Sequence, residues 1–229
     1  MDSGELGRVI DSRYKSWTKE WHDVPDNIVL PRVCPIRLGK TPSIEGPTDW
    51  YEYVPLDAVA DEIRVINIMP STDHSVPIIA HIAHCPIHCE VTFTALSYRW
   101  SVDGAQTQII ANGQKMLIKS GLEATLRAVR MQDKVVPLWV DAICINQSDT
   151  TERSRQIPRM GTIYDNAALV ISYAGPATND SDLALEMIKL IKELNILMMI
   201  WNDKDEMCAA LYKLLCRSYF RRAWVLQEL

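Results

Sequence analysis

The residues most able to do chemistry fall into a few groups along the 229-residue chain. His81, His84, Cys85, His88 and Cys89 lie within nine residues, and HxxxH and CxxxC spacings would suit zinc on a helix, where two ligands share a face. Pro86 interrupts this stretch and its first part reads as a strand, so the pairs would not share a face and no metal site is expected. Cys144 is a second candidate, as a nucleophile. Every histidine precedes residue 89, so no base stands near it in the chain, and a small buried hydrophobe is the competing reading. No Gly-rich phosphate loop exists, which removes kinase and dehydrogenase chemistry.

Positioning such groups requires a framework, and the chain supplies the pattern of one, β-rich in its first half and alternating in its second. Residues 63–68, 76–83 and 91–98 are short apolar runs rich in β-branched residues. Thr107–Ala111, Asn112-Gly113 and Lys115–Ile118 form a hairpin signature, because Asn-Gly supplies the positive φ angles of a tight turn. Ser120-Gly-Leu-Glu123 has the form of a capping box before a helix with Leu122, Leu126 and Val129 on one face. Residues 135–145 read as a strand covered on both faces. Asp149-Thr-Thr-Glu152 repeats the capping pattern before a helix that should bury Ile157, Met160, Tyr164 and Ala167 and be kinked at Pro158 and Gly161. Arg153 and Gln156 should face solvent. Residues 168–173 read as a further buried strand, and two more helices follow, marked by Leu183–Met198 and by Met207, Leu211 and Leu214 after a cap at Asp203–Glu206.

Helices alternating with buried strands imply an α/β fold with a central, mainly parallel sheet and an antiparallel β addition before it. Ligands of such sheets bind beyond the carboxyl ends of the strands, which points to the residues just after Tyr98, Asp141 and Tyr173. Residues 1–60 hold six of the twelve prolines together with Trp17, Trp21, Trp50, Tyr51 and Tyr53. They read as an extended arm whose aromatics pack onto the main domain, with one short helix near Ser12–Trp21. Residues 61–229 form the domain itself.

The net charge of −5 provides no field for nucleic acid or an anionic membrane. The amino terminus lacks the apolar core of a signal peptide, and the most apolar stretch, 194–201, is too short to span a bilayer. The six cysteines are too sparse for a disulfide scaffold. A cytoplasmic protein with reduced thiols and no resident cofactor is expected.

Three blocks then carry a family resemblance. Thr94-Ala-Leu-Ser-Tyr-Arg-Trp100 resembles the "ALSYxWG" pattern of the fungal heterokaryon-incompatibility (HET) domain, with Ser101 where that family usually has glycine. The second block is Leu138-Trp-Val-Asp-Ala-Ile-Cys-Ile-Asn-Gln147, followed by Glu152-Arg153, Gln156, Met160 and Ile163-Tyr164. The third, Arg217-Ser-Tyr-Phe-Arg-Arg-Ala-Trp-Val-Leu-Gln-Glu-Leu229, is similar to "RxWFxRxWxxQEL". The HET domain in turn resembles the Toll/interleukin-1 receptor (TIR) fold, a flavodoxin-like parallel sheet whose members include enzymes that hydrolyse NAD with a late glutamate.

The resemblance implies a role in non-self recognition and cell death. It implies a homo-oligomer, or an assembly with a second incompatibility protein, and NAD as a substrate rather than a cofactor. By the same resemblance the catalytic glutamate falls on Glu228. Cleaving the nicotinamide–ribose bond needs one carboxylate to stabilise an oxocarbenium-like centre, since the pyridine leaves neutral. Ser97, Tyr98, Arg99 and Trp100 would form one wall, Arg99 gripping phosphate and Trp100 stacking on a ring. Asp141, Asn146 and Gln147 would form the other. Alternatively, Asp141 caps a turn or pairs with Arg99, and Asn146 and Gln147 order a loop. On that side stands a non-enzymatic adaptor that signals through protein contacts.

Overall fold

A computed structural model of the chain describes residues 49–73, 75–88, 92–100, 105–194 and 205–221. The β-branched run that begins at Glu62 forms β1 (Glu62–Ile68), antiparallel to β2 (Ile79–Pro86) over their whole length. β3 (Thr94–Tyr98) follows. β4 (Gln106–Ala111) and β5 (Gln114–Lys119) then make the expected hairpin, with Asn112 at φ 51° and Gly113 at φ 77° in its two-residue turn. β6 (Val136–Trp139) and β7 (Leu169–Tyr173) complete a seven-stranded sheet of order β5-β4-β2-β1-β6-β3-β7. β3 lies between β6 and β7 and is parallel to both, whereas β1 meets β2 and β6 antiparallel. The class is α/β, with a parallel part that continues into an antiparallel addition.

Helices follow the strands: α1 (Ser120–Val129), α2 (Asp141–Cys144), α3 (Thr150–Gln156), α4 (Met160–Asn166), α5 (Ser181–Leu194) and α6 (Asp205–Leu215). Leu122 and Leu126 bring one face of α1 into the core at 1% and 0% exposure. Burial of that kind stabilises by about 1.5–3 kcal/mol per side chain. Among the described residues no helix is long and apolar enough to cross a membrane.

Several local readings are corrected. Ser120 does not cap α1, because β5 pairs with β4 up to Lys119 and Ser120 is already the first helical residue. Its neighbour Glu123 pairs instead with Arg127, one turn on. Residues 135–145 are not one strand: β6 ends at Trp139 and the chain turns through Val140 into α2. β7 is last in the sheet order with one ladder partner, so Leu169 is 42% exposed and the strand is half-buried rather than enclosed. Pro158 does break the helix, leaving a 3-10 turn over Ile157–Arg159 that separates α3 from α4 and turns Ile157 outward. Gln156, expected on the solvent side, is buried and donates to the Glu62 carbonyl at 3.4 Å, while Arg153 is exposed.

Beneath these elements lies a buried ion pair. Arg64 on β1 has 0% exposure, and its guanidinium forks onto Glu152 of α3 at 2.5 and 3.0 Å. It also donates to the carbonyls of Cys144 and Val54, and its cationic carbon lies 4.9 Å from the centre of the Tyr53 ring. Asp149 caps α3 as expected, accepting from the amides of Thr151 and Glu152. The carboxylate of Glu152 is thereby free of capping and serves Arg64 and the Asn146 amide. Removing one partner of such a pair strands a charge in the interior. Glu152→Ala should lower unfolding free energy by about 3–5 kcal/mol in denaturant titration, well beyond the exposed Arg153→Ala control.

Candidate functional site

The parallel strands β6, β3 and β7 end at Trp139, Tyr98 and Tyr173, so the segments that follow share one edge of the sheet. Val140 is extended and Asp141 opens α2 directly after β6. Its Oδ1 accepts from the Ala142 amide at 2.7 Å, holding the carboxylate at the start of that turn. Across the edge, the first residues after β3 bring Trp100 over it. The indole Nε1–H is shared between the two carboxylate oxygens at 3.2 and 3.1 Å. Asp141 is 9% exposed and Trp100 42%, which leaves an indole anchored at one end and open to a stacking partner at the other.

Gln147 joins this group, its side-chain amide donating to the Asp141 carbonyl at 2.9 Å. Asn146 takes a different part: its Oδ1 accepts from the amide and hydroxyl of Ser148, and its own amide donates to Glu152. The side chain therefore builds the turn that leads into α3. Arg99 is exposed beside Trp100. Ser97 and Tyr98 lie underneath, at 1% and 2% exposure. Glu228, Ser101 and Trp224 lie outside the described residues. Trp100, Asp141 and Gln147 are thus brought together, with Arg99 at their margin.

Two other candidates receive a structural explanation. Cys144 is fully enclosed, its sulfur accepting from the Val140 amide, and burial pushes the thiol up to about 12. On β2 the strand alternation puts His81 and Cys85 on one face and His84 on the other, where His84 sits 3.3 Å from Glu62. Among the described residues no group of three or more potential ligands gathers.

Residues not placed in the site from the sequence also shape this edge. Tyr219, in a 3-10 turn over Ser218–Arg221, is buried at 1% and shares a 2.7 Å hydrogen bond with the Ser97 hydroxyl. It ties the start of the third sequence block to the end of β3. Tyr53 donates its hydroxyl to the Ile143 carbonyl, and burial raises its pKa, so it stays a neutral donor. A lone arginine inside an apolar strand, as at Arg64, was the available signal that a buried carboxylate must face it.

These features define a mixed α/β domain with a polar, aromatic site at the carboxyl ends of its parallel strands. Residues 93–228 match the family model described as heterokaryon incompatibility protein (HET), and the chain belongs to that family. It is 31% identical over 152 residues to heterokaryon incompatibility protein 6, OR allele, of Neurospora crassa, an overlap of 60% of this chain. The chain spans 22% of the length of that relative. No solved structure matches it. The matched range begins just before β3, so Arg64 and Tyr53 brace the family's segment from outside it.

Two measurements check this account. Cys144 should resist alkylation in the folded protein at pH 8 and react only on unfolding, because its thiolate is suppressed and enclosed. Tyr219→Phe, which leaves the Ser97 hydroxyl without this partner, should cost about 1–3 kcal/mol in chemical denaturation, while the ring keeps its packing.

Proposed function

We propose that this chain is an incompatibility signalling domain that acts in self/non-self recognition and the cell death that follows, and that it does so by hydrolysing NAD upon self-association. Family membership supports the biological role, and the site supports a nucleotide as ligand. The observation that carries the reading is the half-exposed Trp100 indole held by a nearly buried carboxylate, Asp141, at the carboxyl edge of parallel strands. An aromatic plane with an adjacent carboxylate is suited to a pyridine ring and ribose hydroxyls. Arg99, at the margin, would meet the diphosphate.

In this reaction the bond between ribose C1′ and the pyridinium nitrogen breaks, and its electron pair leaves with nicotinamide. Positive charge develops on the ribose, where Glu228 provides the stabilising carboxylate, and water adds with loss of a proton to solvent. Asp141 orients the ribose from the other side. The protein works in the cytoplasm as a homo-oligomer or with a second incompatibility protein.

A second reading has its own support. Asp141 already accepts from Trp100 and from the Ala142 amide, as expected of a fixed surface in an adaptor that recruits other proteins. Nicotinamide release by concentrated protein separates the two. Glu228→Ala should lower release at least about 100-fold, the scale of losing one transition-state stabilising group. Release that survives this substitution but falls in Asp141→Asn would move the catalytic carboxylate to Asp141. No release from any oligomeric form would leave the adaptor.

A further inference from the structure

Among the described residues, one face of the sheet at its β2-β4-β5 end carries exposed apolar side chains. Trp50 forms a parallel bridge with Lys115 on the outer edge of β5, with the Tyr51 amide donating to the Lys115 carbonyl and the Lys115 amide to Asp49. Lys115 is directly opposite Ile110 on β4, and Ile110 is opposite Ile79 on β2. Partners opposite one another project from the same side of a sheet, so these four residues form one row across it. Leu117, two residues along β5 from Lys115, extends the same face. Trp50 is 55% exposed and Ile79 and Leu117 are each 49% exposed. Their chain neighbours Ala80, Met116 and Ile118 point the other way into the core. Three exposed large apolar side chains, joined on one sheet face by the partly exposed Lys115 and Ile110, mark a surface suited to contact.

The sequence contains a segment suited to it. Ile10, Tyr14, Trp17 and Trp21 recur at i, i+4, i+7 and i+11, the spacing of one helical face, between charged residues on the others. The chain running from that segment reaches the described structure at Asp49, whose carbonyl accepts from the amide of Lys115 on β5, the strand that ends the sheet beside this face. The 27 residues between Trp21 and Asp49 can extend roughly 90 Å, far more than the distance across a sheet. Being tethered at the rim gives this segment a high effective concentration over any free partner.

We propose that the sheet face carrying Trp50, Ile79, Ile110 and Leu117 is the docking surface for residues 10–21 of the same chain, bound through the stripe of Ile10, Tyr14, Trp17 and Trp21. Arg13, Lys15 and Lys19 lie within the stripe's span and make its docking readable by limited trypsin digestion of the full chain. Cleavage at these three sites should be slow in the unaltered protein. It should rise about tenfold in Leu117→Asp and by a similar factor in Trp17→Ser, with no further rise when the two are combined. Trp50→Ser serves as a second face variant, and a thermal melt of each variant confirms that the domain remains folded. Cleavage unchanged in both folded face variants overturns the proposal. Unchanged cleavage with a dimer dissociating in Leu117→Asp by sedimentation also overturns it, assigning the face to a second copy. A response to Trp17→Ser alone places the stripe on another surface, which overturns this one.

Discussion

Arg64 lies on an inner strand of the sheet with no surface exposed, and a guanidinium in that position must be matched or the chain would not fold around it. Glu152 matches its charge, and the carbonyls of Cys144 and Val54 take up further donors. The consequence is geometric. Three separate segments, the approach at 53–54, the turn of α2 and the first helical turn of α3, are pulled to one point beneath the site loop. Desolvating both ions costs several kcal/mol each, so the pair is worth more for the single arrangement it enforces than for net stability.

The site inherits its shape from that point. Cys144, whose carbonyl Arg64 holds, ends the short helix that Asp141 begins, and Asn146, whose amide Glu152 holds, starts the turn into α3. Asp141 is therefore pinned between a strand end and a clamped helix end. A carboxylate fixed in this manner keeps its direction without help from solvent, and Trp100 is drawn onto it from the neighbouring strand. From the opposite side Tyr219 secures Ser97, so β3 is held at its carboxyl end by a segment more than a hundred residues later in the chain. These clamped segments surround the Trp100 ring, which stays accessible.

Much of this was legible in the residues. The Asn-Gly hairpin, the Asp149 cap, the break at Pro158 and the helix stripe of Leu122 and Leu126 rest on local backbone and periodicity rules, and local rules operate wherever the residues occur. The edge at which to look for a site also follows from the alternation of strands and helices, because such sheets place ligands at carboxyl strand ends whatever the sequence in detail. Trp100, Asp141 and Gln147 meet there as a group. Asn146 does not join them, and Ser97 and Tyr98 lie beneath.

What tertiary structure alone decided has a common physical cause. An apolar run such as 135–145 cannot announce where its ladder partners stop, and the strand ends where pairing ends, at Trp139. The exposure of β7 depends on its place at the end of the sheet order, which no periodicity encodes. Gln156 and Glu152 share a helix face whose inward orientation comes from a charge on another strand, 88 residues earlier for Glu152. Short-range preferences in the sequence determined the elements and the class of fold. Which polar side chains are buried, and against what, was decided by contacts between distant segments, because the cost of an unpaired interior charge is settled only when the whole chain has closed around it.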